Sequence, residues 1–173
     1  MPALSPEVVR SEPGGEPLVR PATPGDLDVL VGFSLAMARE TEGLELDPST
    51  VRTGTASFLA DPARGRALVV ETSGKIVATL MLTPEWSDWR NGFFWWIQNV
   101  YVVPEERRRG HYRLLHDTVR DLAARENDVY GLRLYVEQQN RPAQVTYRAL
   151  GMHETHYRLY EQPTRAGVVS DVE

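Results

Sequence analysis

The spacing of apolar residues divides the first part of the chain into a short strand and two helices. Leu18–Arg20 is typical of a short strand. Downstream, apolar positions recur with a period of about 3.6 residues, which predicts a helix with one buried face. That face consists of Leu27, Leu30, Val31, Ser34, Leu35 and Ala38. A second helix is predicted over Ser49–Leu59.

The middle of the chain predicts a hairpin and a long strand. Arg66–Glu71 and Ile76–Leu82 are apolar, β-branched runs separated by the turn residues Thr72–Lys75. This arrangement is typical of two antiparallel strands joined by a tight turn. The polar and aromatic stretch Pro84–Gly92 predicts a loop, and Phe93–Val103 predicts the long strand that follows.

The last part predicts two further helices and two further strands. A helix over about Gly110–Glu126 is expected to bury Tyr112, Leu115, Val119 and Leu122. Leu132–Val136 follows as a strand, and Arg141–Leu150 as a short helix with Asn140 at its N-cap. Weak alternation predicts a final strand over Met152–Glu161. The order of elements favours an α/β fold: a mixed, mostly antiparallel sheet with helices on both faces.

Length and composition narrow the class of protein. The 173 residues suggest one domain, which we place at 17–161, between a disordered leader (1–16) and a tail (162–173). The net charge of −5 argues against general nucleic-acid binding. The absence of cysteine excludes disulfides and thiolate sites. No stretch predicts a membrane span or a secretory signal, so a cytoplasmic protein is the expectation.

A basic turn between the long strand and the next helix is the clearest chemical signal. The apolar run stops at Pro104, and Arg107–Arg109 and Gly110 follow directly before the helix. Helix N-termini bind anions because their first amides lack acceptors and carry partial positive charge. A small cluster of arginines on an acidic chain suits a small anionic ligand better than a polyanion. The turn therefore predicts a phosphate-bearing ligand.

Two blocks of residues together resemble a known family. The first is Arg107-x-x-Gly110-x-Tyr112, and the second consists of Asn140, Ala143, Tyr147 and Leu150-Gly151-Met152. They resemble the two signatures of the GNAT N-acetyltransferases, and the likeness in element order spans about 17–161. The resemblance implies a GNAT-like fold, an acetyl-CoA cosubstrate and transfer of an acetyl group to a primary amine of a small molecule or peptide.

The resemblance also implies roles for individual residues. The pantetheine arm is expected to lie along Tyr101–Val103, where a splay or bulge would open the strand edge. Backbone amides of the loop are expected to hold the pyrophosphate, while the arginines steer the cofactor and grip its phosphates. Tyr147 is the expected general acid. The expected cofactor-binding residues are Tyr101, Val102, Val103, Arg107, Arg108, Arg109, Gly110, His111, Tyr112 and Asn140.

Tyr112 departs from the family pattern, which has glycine or alanine at that position. A small residue there would let the helix approach the pyrophosphate closely. Two interpretations are open. Tyr112 either belongs to the buried stripe of the helix and offers only its amide, or narrows the site and weakens CoA binding.

The sequence does not identify a general base. Many family members carry a glutamate on the long strand, but here that strand has Gln98 and Asn99 and no acid. A water relay or capture of a neutral amine is an equally open alternative. The candidate bases elsewhere are Glu40, Glu42, Glu45, Asp88, Glu137 and His153.

Four tryptophans lie within eleven residues, at 86, 89, 95 and 96. They are interpreted either as core filling, as a dimer contact, or as an aromatic wall that binds a cationic or ring-bearing amine. On a strand, Trp95 and Trp96 face opposite sides of the sheet, so at least one is expected to pack under a helix. The predicted acceptor-site residues are Glu40, Glu42, Trp86, Asp88 and Trp96.

Three functional hypotheses follow from these observations. The first is an acetyl-CoA-dependent N-acetyltransferase with no nucleic-acid, membrane or metal partner, in which a homodimer is a family-level expectation. The second is a non-catalytic acyl-CoA-binding or sensor domain, suggested by the missing strand acid and by Tyr112. The third is a nucleotide-phosphate binder, although the loop lacks the Gly-Lys-Ser/Thr ending of a P-loop.

Overall fold

The computed structural model describes residues 16–162 and residue 164. The predicted leader and tail fall almost wholly outside these residues, so both stay predictions. The chain divides into two compact units, one that ends at Tyr135 and one that begins at Val136. The described part of the first unit contains the whole sheet and three of the helices.

The elements of the first unit agree closely with the predicted ones. Taken over both units, the described residues form five strands and four α-helices. Bounds differ from the prediction by one to a few residues. In chain order the elements are β1 (Leu18–Pro21), α1 (Leu27–Glu42), α2 (Pro48–Ala60), β2 (Arg66–Thr72), β3 (Lys75–Ser87), β4 (Gly92–Val102), α3 (His111–Arg125) and β5 (Val129–Arg133).

The sheet is mixed and mostly antiparallel, as predicted. Its strands lie in the order β1-β2-β3-β4-β5, and only the last pair is parallel. The β2–β3 turn is the predicted tight hairpin, with Ser73 at φ 50° and Gly74 at φ 74°. Positive φ at both central residues is the geometry that matches the twist of the flanking strands. Helix α3 supplies the crossover between the parallel strands β4 and β5.

Helices cover both faces of the sheet, which confirms the predicted architecture. On one face, Leu115 and Val119 of α3 are fully buried against strand residues that include Trp95. On the other face, Leu30 of α1 packs with Val69. Neighbouring strand residues enter opposite cores because side chains alternate along a strand. Within the predicted α3 stripe, Tyr112 and Leu122 are only partly buried.

The region predicted as a loop over Pro84–Gly92 is mostly strand. β3 continues to Ser87, and only residues 88–91 form the turn into β4. Proline misled the prediction because it lacks an N–H for the ladder. It is tolerated here because β2 begins at Arg66, opposite Leu82, so the part of β3 after Leu82 has no β2 partner and is an edge strand on that side.

Two further strand predictions need correction. β5 covers Val129–Arg133 rather than Leu132–Val136, so it begins and ends three residues earlier. The predicted last strand over Met152–Glu161 is absent from the described chain. Its alternation does not mark a buried face, since Tyr157 and Leu159 are both exposed. Without a buried face, nothing fixes a strand register there.

The described part of the second unit contains one helix, α4 (Arg141–Ala149). Asn140 is its N-cap, as predicted, because the Asn140 side chain accepts a hydrogen bond from the amide of Ala143 at 3.2 Å. Gly151 follows the helix at φ 88°, the left-handed conformation that commonly ends a helix.

None of the helices in the described residues combines the length and the apolar character that crossing a membrane requires.

Gly65 occupies a position where a larger residue does not fit. Its φ is 146°, and a Cβ there would lie 2.0 Å from the carbonyl oxygen of Leu82. We expect Gly65→Ala to lower the free energy of unfolding by at least about 1–3 kcal/mol, since the conformation alone costs this much. Gly54→Ala is the control, because Gly54 lies in α2 with nothing within 4 Å of an added Cβ. Chemical denaturation that shows equal stability for both variants would contradict this account.

Asp26 anchors the start of α1 through a mostly buried ion pair. Its carboxylate accepts from Arg20 Nη1 at 2.8 Å and from Thr23 N at 2.7 Å. The Arg20 hydrogen bond is the largest cause that lowers the pKa of Asp26, to about 2. Because the folded pKa is depressed, this stabilisation is present above the unfolded pKa near about 4 and is lost as pH falls towards about 2.

We therefore expect Asp26→Asn to lower the free energy of unfolding at neutral pH by about 2–3 kcal/mol. The difference between wild type and variant should shrink as pH falls from about 4 towards about 2. Asp28→Asn is the control, because the Asp28 side chain is 80% exposed in its pair with Arg52. A difference that does not change with pH would show that Asp26 acts through packing alone.

Candidate active site

The central feature of the first unit is a β-bulge in β4. Thr79 of β3 pairs with Tyr101, but Met81, two residues on, pairs with Gln98, so β4 contains one extra residue between them. Asn99 has a φ of 49°, a conformation that non-glycine residues adopt rarely. A bulge of this kind bends a strand and redirects the side chains after it.

The pairing between β4 and β5 ends just before this bulge. Their parallel pairing runs from Phe93 opposite Val129 to Trp96 opposite Arg133 and goes no further. The part of β4 after Trp96 therefore has an edge without a neighbouring strand in the described sheet. One of its backbone groups, the carbonyl of Val102, accepts from Arg107 Nε at 2.9 Å. The predicted bulge and splay near Tyr101–Val103 are thus both present, with the bulge slightly earlier than expected.

The turn between β4 and α3 has the geometry of an anion-binding loop. A 3₁₀ turn covers Pro104–Glu106, and Arg108 and Gly110 then adopt φ of 63° and 88°. The hydrogen-bond ladder of α3 begins with Leu114 N donating to Gly110 O at 3.0 Å. Helix geometry therefore leaves the amides of Gly110 and His111 without an intrahelical acceptor, and these donors suit a phosphate.

The basic residues of this loop have different environments. Arg109 Nη1 lies 3.1 Å from Glu106 Oε1. His111 is 4% exposed, and its Nε2 lies 3.0 Å from Glu106 Oε2. Glu106 therefore ties the loop to the first turn of α3. Arg108 is exposed, which leaves its charge accessible to an anion.

Arg107 is held by Glu40 of α1. Its guanidinium pairs with Glu40 and lies 5.6 Å from the ring centroid of Tyr101, whose hydroxyl donates to Glu40 at 2.8 Å. The Arg107 hydrogen bond is the largest cause that lowers the pKa of Glu40. Glu40 is consequently a weak proton acceptor, and its contacts are those of a residue that positions the loop rather than those of a base.

A second Arg–Glu pair lies at the other end of the same sheet face. Arg133 Nη1 donates to both carboxylate oxygens of Glu85, at 2.8 and 2.9 Å, and the Trp96 indole N–H also donates to Glu85. The Arg133 guanidinium carbon lies 3.6 Å from the ring centroid of Phe94. Sequence reasoning missed Glu85 and Arg133. Their pairing depends on the register of strands that are distant in sequence. Opposite charges on nearby strands stabilise a sheet, so this is the signal that could have predicted the pair.

One face of β4 thus presents a row of functional side chains between these two ion pairs. We call it the β4 face. It consists of Phe94, Trp96, Gln98, Asn99 and Tyr101. Gln98 donates to Thr83 at 2.6 Å, and Asn99 donates to the Met81 sulfur at 3.3 Å. The opposite face of β4 is core, where Trp95 is 2% exposed, so Trp95 and Trp96 separate as expected.

The other predicted acceptor residues are not members of the β4 face. Trp86 is 53% exposed and packs edge-on against Phe93, with ring centroids 5.0 Å apart. Asp88 lies in the β3–β4 turn, where its carbonyl accepts from Asn91 N. Glu42 is exposed at the end of α1. Among the described residues, none of the contacts of these three side chains joins them to Trp96.

Glu45, the remaining base candidate of the first unit, forms an ion pair with an arginine. Glu45 accepts from Arg39 at 2.6 and 2.9 Å.

Tyr112 is partly buried on α3, with its ring centroid 6.1 Å from that of His116. Both interpretations of Tyr112 therefore stay open.

In the second unit, α4 carries the predicted general acid. Burial raises the pKa of Tyr147, so its hydroxyl keeps its proton at neutral pH. Glu137 accepts from the amide of Gln139 at 2.6 Å, which makes it part of the turn before α4. His153 is exposed after the helix.

Comparison with solved structures identifies the fold. A possible acetyltransferase from Clostridium difficile 630 is 40% identical, with a TM-score of 0.81, over 86% of this chain and 98% of that chain. A predicted acetyltransferase with acetyl-CoA from Clostridium acetobutylicum is 20% identical, with a TM-score of 0.69, over 85% of this chain and 96% of that chain. No curated protein matches the sequence.

The sequence also matches a family profile directly. The acetyltransferase (GNAT) family matches residues 34–152, which include the second half of α1, the whole β4 face, the basic loop and α4. The match covers more than half of the chain and contains both blocks that carried the resemblance. The chain therefore belongs to the acetyltransferase (GNAT) family.

Proposed function

We propose that this protein transfers an acetyl group from acetyl-CoA to a primary amine of a small molecule or peptide. Family membership supports acetyl transfer, and a structural neighbour contains acetyl-CoA. The observation that carries the proposal is the open edge of β4 after Trp96, which leads directly into the anion-binding loop. A cytoplasmic location and a homodimer belong to the same proposal.

The residues present fit a CoA-type ligand. The αL conformations of Arg108 and Gly110 turn the chain into α3, whose first amides would hold the pyrophosphate. Charge-assisted hydrogen bonds contribute about 1.5–3 kcal/mol each, more than exposed arginine–phosphate pairs. The free edge of β4 would align the pantetheine arm as an added strand does. We therefore assign most of the binding energy to backbone groups.

Arg107 has a double role in this proposal. Because its Nε donates to the Val102 carbonyl, it covers part of the edge that the pantetheine arm would use. Its ion pair with Glu40 also fixes the start of the loop. We infer that Arg107 covers and orients the free edge of β4, while the exposed Arg108 supplies the contact with phosphate.

The reaction needs a neutral amine, a donor for the charge that develops on the acetyl oxygen, and a proton for the leaving sulfur. Acetyl-CoA supplies the activated thioester. The bulge at Asn99 redirects backbone groups of β4, and one of these amides is our candidate donor to the acetyl oxygen. Tyr147 is the proposed general acid. Its raised pKa keeps it protonated, as a proton donor must be.

We expect Tyr147→Phe to lower kcat by about 100-fold or more, since a general acid contributes roughly that factor. Affinity for CoA should change little because only the hydroxyl is removed. Free-thiol release across an amine panel measures turnover, and calorimetry measures CoA binding. Tyr160→Phe is the control, because Tyr160 is 85% exposed.

The same measurements distinguish an enzyme from a sensor. A protein that binds CoA but releases no thiol with any amine would contradict the proposed activity. Unchanged kcat in Tyr147→Phe would leave acetyl transfer standing but would remove Tyr147 from the mechanism.

We expect Gly110→Ala to weaken CoA binding by about tenfold, because left-handed backbone costs an alanine about 1–2 kcal/mol. Gly110 has a φ of 88°, with nothing within 4 Å of an added Cβ, so the effect arises from the backbone conformation. Gly74→Ala is the matched control, since Gly74 has a φ of 74° and equal space in the β2–β3 hairpin. Equal loss of CoA affinity in both variants would show a global effect rather than a loop effect.

A further inference from the structure

The aromatic rings at one end of the β4 face already have a cation beside them. The guanidinium carbon of Arg133 lies 3.6 Å from the Phe94 ring centroid and 5.9 Å from that of Trp96. One of the three interpretations of the tryptophans was an aromatic wall that binds a cationic or ring-bearing amine. Because the chain's own arginine fills that position, this end of the face offers a ligand a guanidinium rather than bare rings.

The Arg133 guanidinium is fixed on one side and available on the other. Its Nη1 donates to both oxygens of Glu85, and the Trp96 indole holds the same carboxylate. Among the residues that the structure describes, Nε and Nη2 of Arg133 make no hydrogen bond, and the side chain is 34% exposed. Nε and Nη2 form one fork of a guanidinium, the geometry that matches a carboxylate with two parallel hydrogen bonds.

Gly131 helps to fix this arrangement. It lies beside Phe94 in the β4–β5 pairing, and a Cβ there would come within 3.3 Å of the Phe94 ring. The absence of a side chain lets the ring lie against β5, where it supports the guanidinium of Arg133. The Tyr135 ring, 61% exposed, lies 6.2 Å from that of Trp96 and extends the same surface.

We propose that the acceptor amine carries a carboxylate at its far end and that Arg133 binds this carboxylate. The inference rests on the proposed function and adds the substrate class to it. Glu85 positions the guanidinium and offsets part of its charge. Arg133 is therefore a specificity-determining residue for the acceptor, not a part of the acetyl-transfer chemistry.

Strand geometry sets the length of the acceptor. The bulge at Asn99 lies three residues from Trp96 and five from Phe94, which corresponds to about 10–17 Å along a strand. A free α-amino acid is too short to join the two sites. Extended peptide spans at most about 3.3–3.6 Å per residue, so a peptide of about three to five residues with a free C-terminus fits.

The test compares glycine peptides from diglycine to pentaglycine, each as the free acid and as the C-terminal amide. Thiol release from acetyl-CoA gives kcat/KM for each. We expect the acid to be preferred by about tenfold to 100-fold from triglycine upwards, because two charge-assisted hydrogen bonds are gained. The preference should be small for diglycine. A ratio near one at every length would overturn the inference.

Substitutions give effects of opposite sign. Arg133→Gln should bring the acid-to-amide ratio close to one, whereas Glu85→Gln should raise it, because Arg133 then loses its internal counter-charge. Arg120→Gln on α3 makes the same change in net charge on the other face of the sheet and should leave the ratio unchanged. Equal loss of activity towards acids and amides in Arg133→Gln would indicate a structural role and overturn the inference.

Three further outcomes remain interpretable. If Arg133→Gln fails to fold, Glu85→Gln decides the question, and an unchanged ratio in that variant overturns the inference. If the wild-type protein acetylates other amines but no glycine peptide, the inference fails while the proposed function stands. If it releases no thiol with any amine, the proposed function itself fails.

Discussion

The extra residue at Asn99 in β4 is the constraint on which the arrangement of the site depends. Side chains alternate along a strand, so one inserted residue reverses the facing of all residues after it. Trp96 and Gln98 before the bulge, and Tyr101 after it, therefore share one face. Without the bulge, Tyr101 would point into the opposite core and could not donate to Glu40.

The bulge also explains why β4 can serve two purposes at once. Before it, β4 pairs with β5 and fixes Phe94 and Trp96 beside Arg133. After Trp96, the strand has no further pairing with β5 and presents a free backbone edge that continues towards the loop at Gly110. The proposed acceptor surface and the proposed cosubstrate edge thus belong to one strand. The positive φ of Asn99 is a local strain that the pairing of β4 with β3, before and after the bulge, keeps in place.

Local chemistry was predictable from the sequence, while pairing between distant residues was not. The hairpin at Ser73-Gly74, the Asn140 cap and the turn at Gly110 each depend on a few neighbouring residues, and all three were predicted from them. The prediction at Pro84 was wrong because a proline is tolerated there only if β2 begins at Arg66, opposite Leu82, and this pairing is a fact of tertiary structure. Glu85 and Arg133 are 48 residues apart, and only the sheet register brings them together.

The two ion pairs give the β4 face its chemical character. At one end Glu40 is held by Arg107 and Tyr101, and at the other Glu85 is held by Arg133 and Trp96. The Arg107 hydrogen bond lowers the pKa of Glu40, so this carboxylate is stabilised in its ionised form and is a weak base. Gln98 and Asn99 between them cannot accept a proton at neutral pH.

The described β4 face therefore offers an amine hydrogen-bonding groups, and the two carboxylates at its ends are each paired with an arginine. With both of its carboxylates already neutralised, it also provides no unpaired negative charge that would favour the protonated amine. Desolvation on such a surface disfavours the ammonium form and lowers the pKa of an amine bound there. We infer that the face itself selects the neutral amine that acetyl transfer requires, and that the amine proton leaves through water rather than to a dedicated carboxylate of β4.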